Sequence, residues 1–377
     1  MKIVADAGLI EIKELFAGFG ELELIPGRDI DAAAIRNADA LLIRSVTAVT
    51  AELLNGSSIK FVGTATSGTD HIDVESLHSR GIALADARGS NANAVVDYCF
   101  AGIGYGVTNR GFDIKQSRVG IVGHGCVGSL LARKLNAMGV QTHLCDPPLQ
   151  EAAGPQSTDK YSTLDVIAQC QIVSLHVPLT KDASHPTVDL IDAEFLRSLR
   201  AGTLLINTCR GSVVNEIALL QVLGERPDLC CVVDVWENEP APSSDLVMAV
   251  DLATPHIAGY SLEAKRAASR QLLDQFCQHF DVTAAHTADT AESNPVPFVA
   301  AECRSGDVWE AILEMFPLER ISEQFRTSVA AGNSQQAFDE LRKKLVTRRE
   351  LRSYQMSGIE WKGEQRLVGN ALGIESV

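Results

Sequence analysis

The feature that most constrains this chain of 377 residues is a glycine-rich turn, Gly123-His124-Gly125-Cys126-Val127-Gly128. It follows a short apolar strand predicted over residues 119–122 and precedes a stretch with apolar residues at helical spacing, which Gly139 is placed to end. In a strand-turn-helix unit of this kind, three glycines permit a tight bend, close approach of the backbone to a pyrophosphate, and close packing of helix on strand. The N-terminus of the helix offers N–H groups to phosphates. The turn therefore predicts a dinucleotide site.

A glycine turn alone is a weak signal, and an acidic residue further along the chain strengthens it. The next predicted strand, residues 140–145, ends in Asp146, eighteen positions after Gly128. A carboxylate there can accept hydrogen bonds from ribose hydroxyls and would repel a 2'-phosphate, so NAD is favoured over NADP. Asp146 can also be a turn residue before Pro147-Pro148, and the two roles are compatible.

Apolar strands alternate with helical stretches on both sides of the glycine turn. Strands are predicted at KIVAD, ALLIR, KFVGT and IALAD before it, and at VGIVG, THLCD, IVSLHV, TLLINT and CCVVDVW from Arg118 onward. This alternation predicts an α/β protein with two Rossmann- or flavodoxin-like parallel-sheet lobes, the NAD-binding one inserted into the other. A helix is expected after Asn91, with Ser90 or Asn91 as its cap.

The character of the chain changes after a linker-like segment over residues 290–297. The charged stretch beyond it predicts a small C-terminal α+β domain, in which Phe338, Leu341 and Leu345 lie on one helical face. We therefore predict a flavodoxin-like substrate-binding lobe over residues 1–97 and 257–285, an NAD-binding domain over residues 98–256, and a C-terminal domain over residues 286–377.

Charge and composition exclude several classes of partner. The formal net charge of −15 disfavours nucleic acids and anionic membranes, because the field of the whole molecule repels polyanions. No apolar run is long enough to span a bilayer, and the N-terminus lacks the flank of a signal peptide, so a cytoplasmic protein is expected. The nine cysteines are scattered without CxxC spacing, which argues against disulfides and against a metal site.

Three polar segments follow predicted strands of the second lobe. They are Asn207-Thr208-Cys209-Arg210-Gly211, Asp234-Val235-Trp236-Glu237-Asn238-Glu239-Pro240 and Thr254-Pro255-His256-Ile257-Ala258-Gly259-Tyr260. In this order, and together with the glycine turn, they resemble the D-isomer-specific 2-hydroxyacid dehydrogenases. The catalytic arginine, glutamate and histidine of that family match Arg210, Glu239 and His256.

The chemistry of that family explains these residue types. Removal of hydride from C2 of a 2-hydroxy acid requires the hydroxyl proton to leave, and a histidine such as His256 can take it. A carboxylate, here Glu239, orients the imidazole and favours its protonated form. A planar cationic fork, here Arg210, suits the substrate carboxylate and C2 oxygen, and Gly211 after it permits close approach of ligand or backbone.

The resemblance also implies contacts with the cofactor. Asp234 is expected to bind the nicotinamide amide, and the other contacts are expected to be made largely through backbone. These residues are Val177, Thr208, Cys209, Arg210 and Gly259, besides Gly123, Gly125, Cys126, Val127, Gly128 and Asp146 of the glycine turn and the strand that follows. His176 and His71 are interpreted as structural or loop residues, and Glu237 as solvated.

The N-terminal turns LLIRSVT and FVGTATSGTDHID, with SHPTVDLID and the tail, resemble one branch of the family, which oxidises 4-phospho-D-erythronate to 2-oxo-3-hydroxy-4-phosphobutanoate in vitamin B6 synthesis. This implies substrate contacts from Ser45, Thr66 and Tyr260, and a homodimer formed through residues 286–377.

Two charged groups on such a substrate call for a second cation in an acidic protein, and Arg44, Arg348 and Arg349 are candidates. For Arg348 and Arg349 a solvated helix end is the alternative. A 3-phosphoglycerate or hydroxypyruvate enzyme of the same family is the alternative function. The other alternative function is a non-catalytic, NAD-sensing regulator on the same fold. The presence of all three residues Arg210, Glu239 and His256 disfavours it.

Overall fold

The structure is a computed structural model that describes residues 1–154, 160–284, 296–299, 306–357 and 360–376. Contacts divide the chain into two compact units, Met1–Asn91 with Ser261–Asn294, and Ala92–Tyr260 with Pro295–Val377. The predicted boundary at 285/286, and the predicted linker up to residue 295, lie outside the described residues. The division into three domains stays a prediction.

The described strands are short and the helices vary widely in length. The strands are β1 (Lys2–Asp6), β2 (Glu21–Ile25), β3 (Ala40–Ile43), β4 (Phe61–Thr64), β5 (Ala83–Asp86), β6 (Arg118–Val122), β7 (Gln141–Cys145), β8 (Ile172–Leu175), β9 (Leu204–Asn207), β10 (Cys230–Val233), β11 (Leu252–Ala253), β12 (Val296–Val299), β13 (Tyr354–Ser357) and β14 (Glu375–Ser376). The helices are α1 (Ile12–Phe16), α2 (Ala32–Ile35), α3 (Val74–Ser79), α4 (Ala92–Arg110), α5 (Cys126–Ala137), α6 (Pro147–Ala153), α7 (Leu164–Ala168), α8 (Ala193–Ser198), α9 (Glu216–Glu225), α10 (Ser244–Ala249), α11 (Leu262–Phe280), α12 (Val308–Met315), α13 (Leu318–Ala330), α14 (Ser334–Lys344) and α15 (Gly363–Leu372).

The first unit is a five-stranded parallel sheet in the order β2-β1-β3-β4-β5, which is the flavodoxin-like order. Strands β3 and β4 are buried along their whole length, as expected for a parallel sheet covered on both faces. Helix α11 contributes to the core of this unit through Phe276, whose ring meets the rings of Phe16 and Phe61 edge-on at 5.3 and 5.7 Å.

The second unit contains a six-stranded parallel sheet in the order β11-β10-β9-β8-β6-β7. Strand order reverses where β6 lies between β7 and β8. In open α/β sheets a ligand binds beyond the carboxyl ends of the strands at such a reversal, and the glycine turn follows β6 directly. The predicted α/β class with two parallel-sheet lobes is confirmed. Helix α4 begins at Ala92, directly after Asn91, as predicted.

The C-terminal segment, Pro295–Val377, packs its described helices into the core of the second unit. Trp309 of α12 stacks with Phe100 of α4 at 6.4 Å between ring centroids, and Phe316 meets Tyr98 edge-on at 5.7 Å. A three-stranded parallel sheet, β12-β13-β14, also belongs to this segment. Phe338 and Leu341 of α14 are buried, in agreement with the predicted helical face, whereas Leu345 lies outside this helix, at the start of a 3-10 turn.

Among the described helices, none combines the length and apolar character needed to cross a bilayer.

Candidate active site

The glycine turn lies at the reversal of strand order. Gly123 has φ +92°, and a Cβ built on it would stand 2.7 Å from the carbonyl of His176, the residue after β8. A Cβ on Gly128 would lie 1.9 Å from the carbonyl oxygen of Gly123, which explains why glycine is required at both positions.

The first turn of α5 fits a pyrophosphate. Apart from Gly125 and its two chain neighbours, no heavy atom of the described residues lies within 4 Å of the Cβ position of Gly125, and this residue caps α5 without any side-chain hydrogen bond. The N–H groups that begin at the exposed Cys126 are therefore offered to a ligand and not to a capping side chain. Val127 follows in the same turn. Open space beside a close-packed glycine pair is the arrangement that a dinucleotide needs.

Asp146 follows β7 directly and fixes the geometry of the turn. Its Oδ2 accepts a hydrogen bond from the amide of His124 at 2.7 Å, and its Oδ1 caps α6 by accepting from the amide of Leu149 at 3.1 Å. The role of a turn residue is thus realised. The contact with ribose stays a prediction that this geometry permits, since each carboxylate oxygen can accept more than one hydrogen bond.

His176 and Thr208 line the neighbouring strand ends. His176 lies within hydrogen-bonding distance of Ser174 Oγ (2.9 Å to Nε2) and of Thr208 Oγ1 (3.4 Å to Nδ1). Burial lowers the pKa of His176 to about 3, so the ring is neutral at physiological pH. This agrees with its interpretation as a structural residue. The amide of Val177 lies next to Gly123, 2.8 Å from the Cβ position of that glycine.

Gly211 places Arg210 against the segment that carries Glu239. A Cβ on Gly211 would stand 1.9 Å from the carbonyl carbon of Trp236, so the turns after β9 and β10 are in direct backbone contact. Arg210 donates from Nη1 to the carbonyl of Cys209 at 2.8 Å, and its own carbonyl accepts from Asn207 at 3.3 Å. The close backbone approach predicted for Gly211 is therefore present.

His256 and Glu239 form a hydrogen-bonded pair, with 2.7 Å between Nδ1 and Oε2. The other carboxylate oxygen, Oε1, accepts from the amide of Trp236 at 3.0 Å. Burial acts to raise the pKa of Glu239, but the charge and hydrogen bond of His256 and the Trp236 amide outweigh it, and the pKa is lowered. Because Glu239 occupies Nδ1, the second ring nitrogen, Nε2, is the one available to a substrate proton.

Asp234 holds the turn on which His256 stands. Its fully buried carboxylate accepts from Thr254 Oγ1 at 2.6 Å and from the amides of Ile257 and Ala258, each at 2.8 Å. Burial raises the pKa of Asp234. The hydrogen bonds give this residue a structural role that the sequence did not indicate, and its predicted contact with nicotinamide stays a prediction.

Comparisons of the chain with known proteins agree with the site described above. The family model for the NAD-binding domain of D-isomer-specific 2-hydroxyacid dehydrogenases matches residues 102–258. Erythronate-4-phosphate dehydrogenase of Pseudomonas syringae pv. syringae is 41% identical over 359 residues, covering 93% of each chain. The enzyme of the same name from Sodalis glossinidius is 42% identical over 355 residues, covering 93% of this chain and 92% of its own. This chain belongs to the erythronate-4-phosphate dehydrogenase family.

Solved structures similar to this member of the family include dehydrogenases of the same fold. NAD+-bound 3-phosphoglycerate dehydrogenase of Entamoeba histolytica aligns with a TM-score of 0.64 at 26% identity, covering 74% of this chain and 95% of its own. D-lactate dehydrogenase of Aquifex aeolicus, complexed with NAD and lactic acid, aligns with a TM-score of 0.61 at 21% identity, covering 74% of this chain and 96% of its own. NAD is the cofactor of the matched domain.

Arg348 is a residue of this family member whose role the sequence did not reveal. It donates to the backbone carbonyls of Tyr260 (2.6 Å), Ala258 (3.1 Å) and Ala94 (3.3 Å), and its guanidinium lies 4.2 Å from the ring centroid of Phe316. It is neither a solvated helix end nor an uncommitted cation. It binds the segment that follows His256 through the carbonyls of Ala258 and Tyr260, which lie on either side of Gly259.

A second unpredicted contact reaches the same turn from α4. The hydroxyl of Tyr98 lies 2.7 Å from Thr254 Oγ1, which in turn donates to Asp234. Tyr98 and Thr254 are 156 positions apart in the chain. The apolar spacing of α4 predicts only a core residue at this position, so no local signal could have identified the pair.

The first unit carries Ser45 and Thr66, two of the predicted substrate contacts, in the turns after two of its strands. Ser45 is exposed after β3, and Thr66 follows the neighbouring strand β4, so both lie at the same edge of the sheet. Thr66 Oγ1 donates to the carbonyl of Gly68 at 2.7 Å. Arg44 is bidentate on the buried carboxylate of Asp6, at 2.7 and 2.9 Å, and this use competes with a role as the second substrate cation.

Proposed function

We propose that this protein oxidises 4-phospho-D-erythronate at C2 to 2-oxo-3-hydroxy-4-phosphobutanoate, in the synthesis of pyridoxal 5'-phosphate. The observation that carries the proposal is the 2.7 Å pair of His256 and Glu239 beside the turn of Arg210, in a chain about 40% identical over 93% of its length to enzymes named for this activity. NAD, held at the glycine turn, supplies the acceptor for the hydride that leaves C2.

The protein contributes the proton acceptor. Glu239 is ionised at neutral pH because its pKa is lowered, and it accepts the Nδ1 proton of His256. Nε2 then carries the lone pair that takes the proton from the C2 hydroxyl as the C2–H bond breaks. In the reverse direction the imidazolium returns that proton to the oxygen of the 2-oxo acid.

The remaining predicted residues bind and orient the acid. Arg210 presents a guanidinium to the C1 carboxylate and to the C2 oxygen, where charge develops as the proton leaves. Ser45, Thr66 and Tyr260 are proposed to contact the substrate through hydroxyl groups. Their loss is expected to raise KM more than it lowers kcat.

The test is NADH production across matched 2-hydroxy acids: 4-phospho-D-erythronate, D-erythronate, 3-phosphoglycerate and D-glycerate. The proposal expects the highest kcat/KM with the phosphorylated four-carbon acid. Preference for 3-phosphoglycerate would replace it with the alternative enzyme of the same family. NAD binding without turnover of any acid would favour the regulator.

We also propose that the protein is a cytoplasmic homodimer formed through residues 286–377, as the family resemblance implies. Light scattering on the purified chain tests the assembly, because a dimer has twice the chain mass of 40.5 kDa. A monomeric mass at micromolar concentration would contradict it.

A further inference from the structure

The side chain of Arg342, on α14, lies over two aromatic rings of the second unit. Its guanidinium carbon is 4.9 Å from the ring centroid of Tyr260 and 5.3 Å from that of Phe338. Tyr260 is four positions after His256 and is itself a proposed substrate contact. Stacking on two rings fixes where this guanidinium lies without using its N–H groups.

The N–H groups of Arg342 lack acceptors in the part of the chain that the structure describes. Its Nε is buried and has no hydrogen-bond partner there, and no ion pair or hydrogen bond to the guanidinium exists among the described residues. An unsatisfied buried N–H is destabilising, and the cost is larger when the group is charged. A cation left in this condition beside a reaction centre is suited to an anionic ligand.

Two of the three arginines considered above for such a ligand have protein partners that compete for their N–H groups. Arg348 donates to three backbone carbonyls, and Arg44 is bidentate on Asp6. The charge of Arg342 also acts on Glu239. Burial has the largest effect and raises the pKa of this carboxyl, His256 and the Trp236 amide lower it, and Arg342 lowers it by a smaller amount. Arg342 therefore has N–H groups without an acceptor among the described residues, and it lies near Glu239 and Tyr260.

We infer that Arg342 binds the phosphate of the substrate and so selects phosphorylated over plain 2-hydroxy acids. This inference rests on the proposed function for the identity of the acid. A phosphate dianion needs a local cation in a protein of net charge −15, and a guanidinium can donate two N–H groups to one phosphate. Arg210 serves the carboxylate at the other end of the acid, and Arg342 supplies the second charge.

The experiment compares Arg342→Gln with Lys343→Gln, which removes the same charge from an exposed neighbour on α14. Arg342→Gln is expected to raise KM for 4-phospho-D-erythronate by about ten- to hundredfold, the range for loss of charged hydrogen bonds. Any loss of kcat/KM with unphosphorylated D-erythronate should be at least tenfold smaller, because the effects of Arg342 on Glu239 and Tyr260 are common to both acids. Lys343→Gln should leave both substrates unaffected. Arg342→Lys should fall between wild type and Arg342→Gln, because it keeps the charge and loses the fork.

Inorganic phosphate gives a readout that does not depend on the identity of the acid. It should inhibit the wild-type enzyme competitively and inhibit Arg342→Gln at least tenfold more weakly. Equal inhibition of both, or an equal loss with both acids, would overturn the inference and leave Arg342 a packing residue for Tyr260. If the wild-type enzyme does not prefer 4-phospho-D-erythronate, the proposed function fails, and the phosphate inhibition still decides the role of Arg342. Thermal unfolding of each variant identifies any that do not fold.

Discussion

At the scale of single residues, His256 is one of four described residues other than glycine that have a positive φ. Its φ of +53° lies in the left-handed region, which costs a residue with a Cβ on the order of 1 kcal/mol. The turn is held nonetheless, because Asp234 accepts from the amides of Ile257 and Ala258 and the amide of His256 donates to the Asp234 carbonyl at 2.7 Å. The carboxylate of Asp234 thus stabilises a conformation that directs the imidazole to Glu239.

Replacement of His256 by Asn tests its role as base. We expect kcat to fall by at least about a hundredfold, because general base catalysis contributes on that order, while NAD binding measured by calorimetry is unchanged. The exposed neighbour Glu237, changed to Gln, is the control and should retain activity. Full activity of the His256→Asn enzyme would remove His256 as the base.

Asp146 offers a matched pair of substitutions that separates charge from structure. Asp146→Asn keeps an oxygen that can accept from the amide of His124 but removes the negative charge, whereas Asp146→Ala removes both. If the carboxylate repels a 2'-phosphate, both variants should lower the ratio of kcat/KM for NAD over NADP, by roughly tenfold or more for one lost charge repulsion. An unchanged ratio in Asp146→Asn would place the ribose contact elsewhere.

Among elements, the C-terminal segment stabilises the turn that carries His256, since Arg348 donates to the carbonyls of Ala258 and Tyr260. Arg348 is therefore a positioning residue. We expect Arg348→Ala to lower kcat by about tenfold to a hundredfold, since small displacements of a reacting group have effects of that size, and KM for NAD to change much less. Lys344→Ala, at an exposed position of the same segment, is the control.

Arg348→Lys serves as the conservative variant, because an ammonium can restore one of the lost hydrogen bonds. A partial return of kcat is expected. A variant that melts at a lower temperature but retains the kcat of the wild type would indicate a purely structural role.

The sequence was sufficient for nine of the described strands but not for β2, β11 or the strands of the C-terminal segment, and its assignment of the reacting residues stays a prediction. Polar residues at the ends of parallel strands meet at one edge, so Arg210, Glu239 and His256 could be placed near each other before any distance was known. The hydrogen bond between Glu239 and His256 agrees with that expectation.

The contacts that hold the turn of His256 could not be predicted from the sequence, for a physical reason. Arg348 binds backbone carbonyls, which every residue has, and its partners Tyr260 and Ala258 lie 88 and 90 positions away. No side-chain pattern marks such contacts. The same holds for Arg342, whose significance depends on hydrogen bonds that the described residues do not supply.

In the molecule as a whole, a buried carboxylate links pH to folding. Asp97 of α4 accepts from the amide of Leu351 at 2.8 Å, and burial raises its pKa to about 7. The folded state therefore binds this proton more tightly than the unfolded state, whose carboxyl has its ordinary pKa near 3.8. The contribution of Asp97 to stability is complete below about pH 4 and is lost as the pH rises to 7.

Asp97→Asn should remove this dependence, because the amide mimics the protonated acid. We expect the variant to exceed the wild type in free energy of unfolding at pH 8, by on the order of a few kcal/mol, and to lose this advantage near pH 4. Denaturant titrations at several pH values measure it, with exposed Asp245→Asn as the control. A constant difference across that range would show that Asp97 stays ionised in the folded protein.

The hydrogen bonds of Arg348 also impose an order on biosynthesis. The ribosome adds Ala258 and Tyr260 to the chain well before it adds Arg348, whose guanidinium donates hydrogen bonds to their carbonyls. A nascent chain that already contains the glycine turn and His256 still lacks these hydrogen bonds. Its oxidative activity should therefore develop only after the later helices have packed against the second unit.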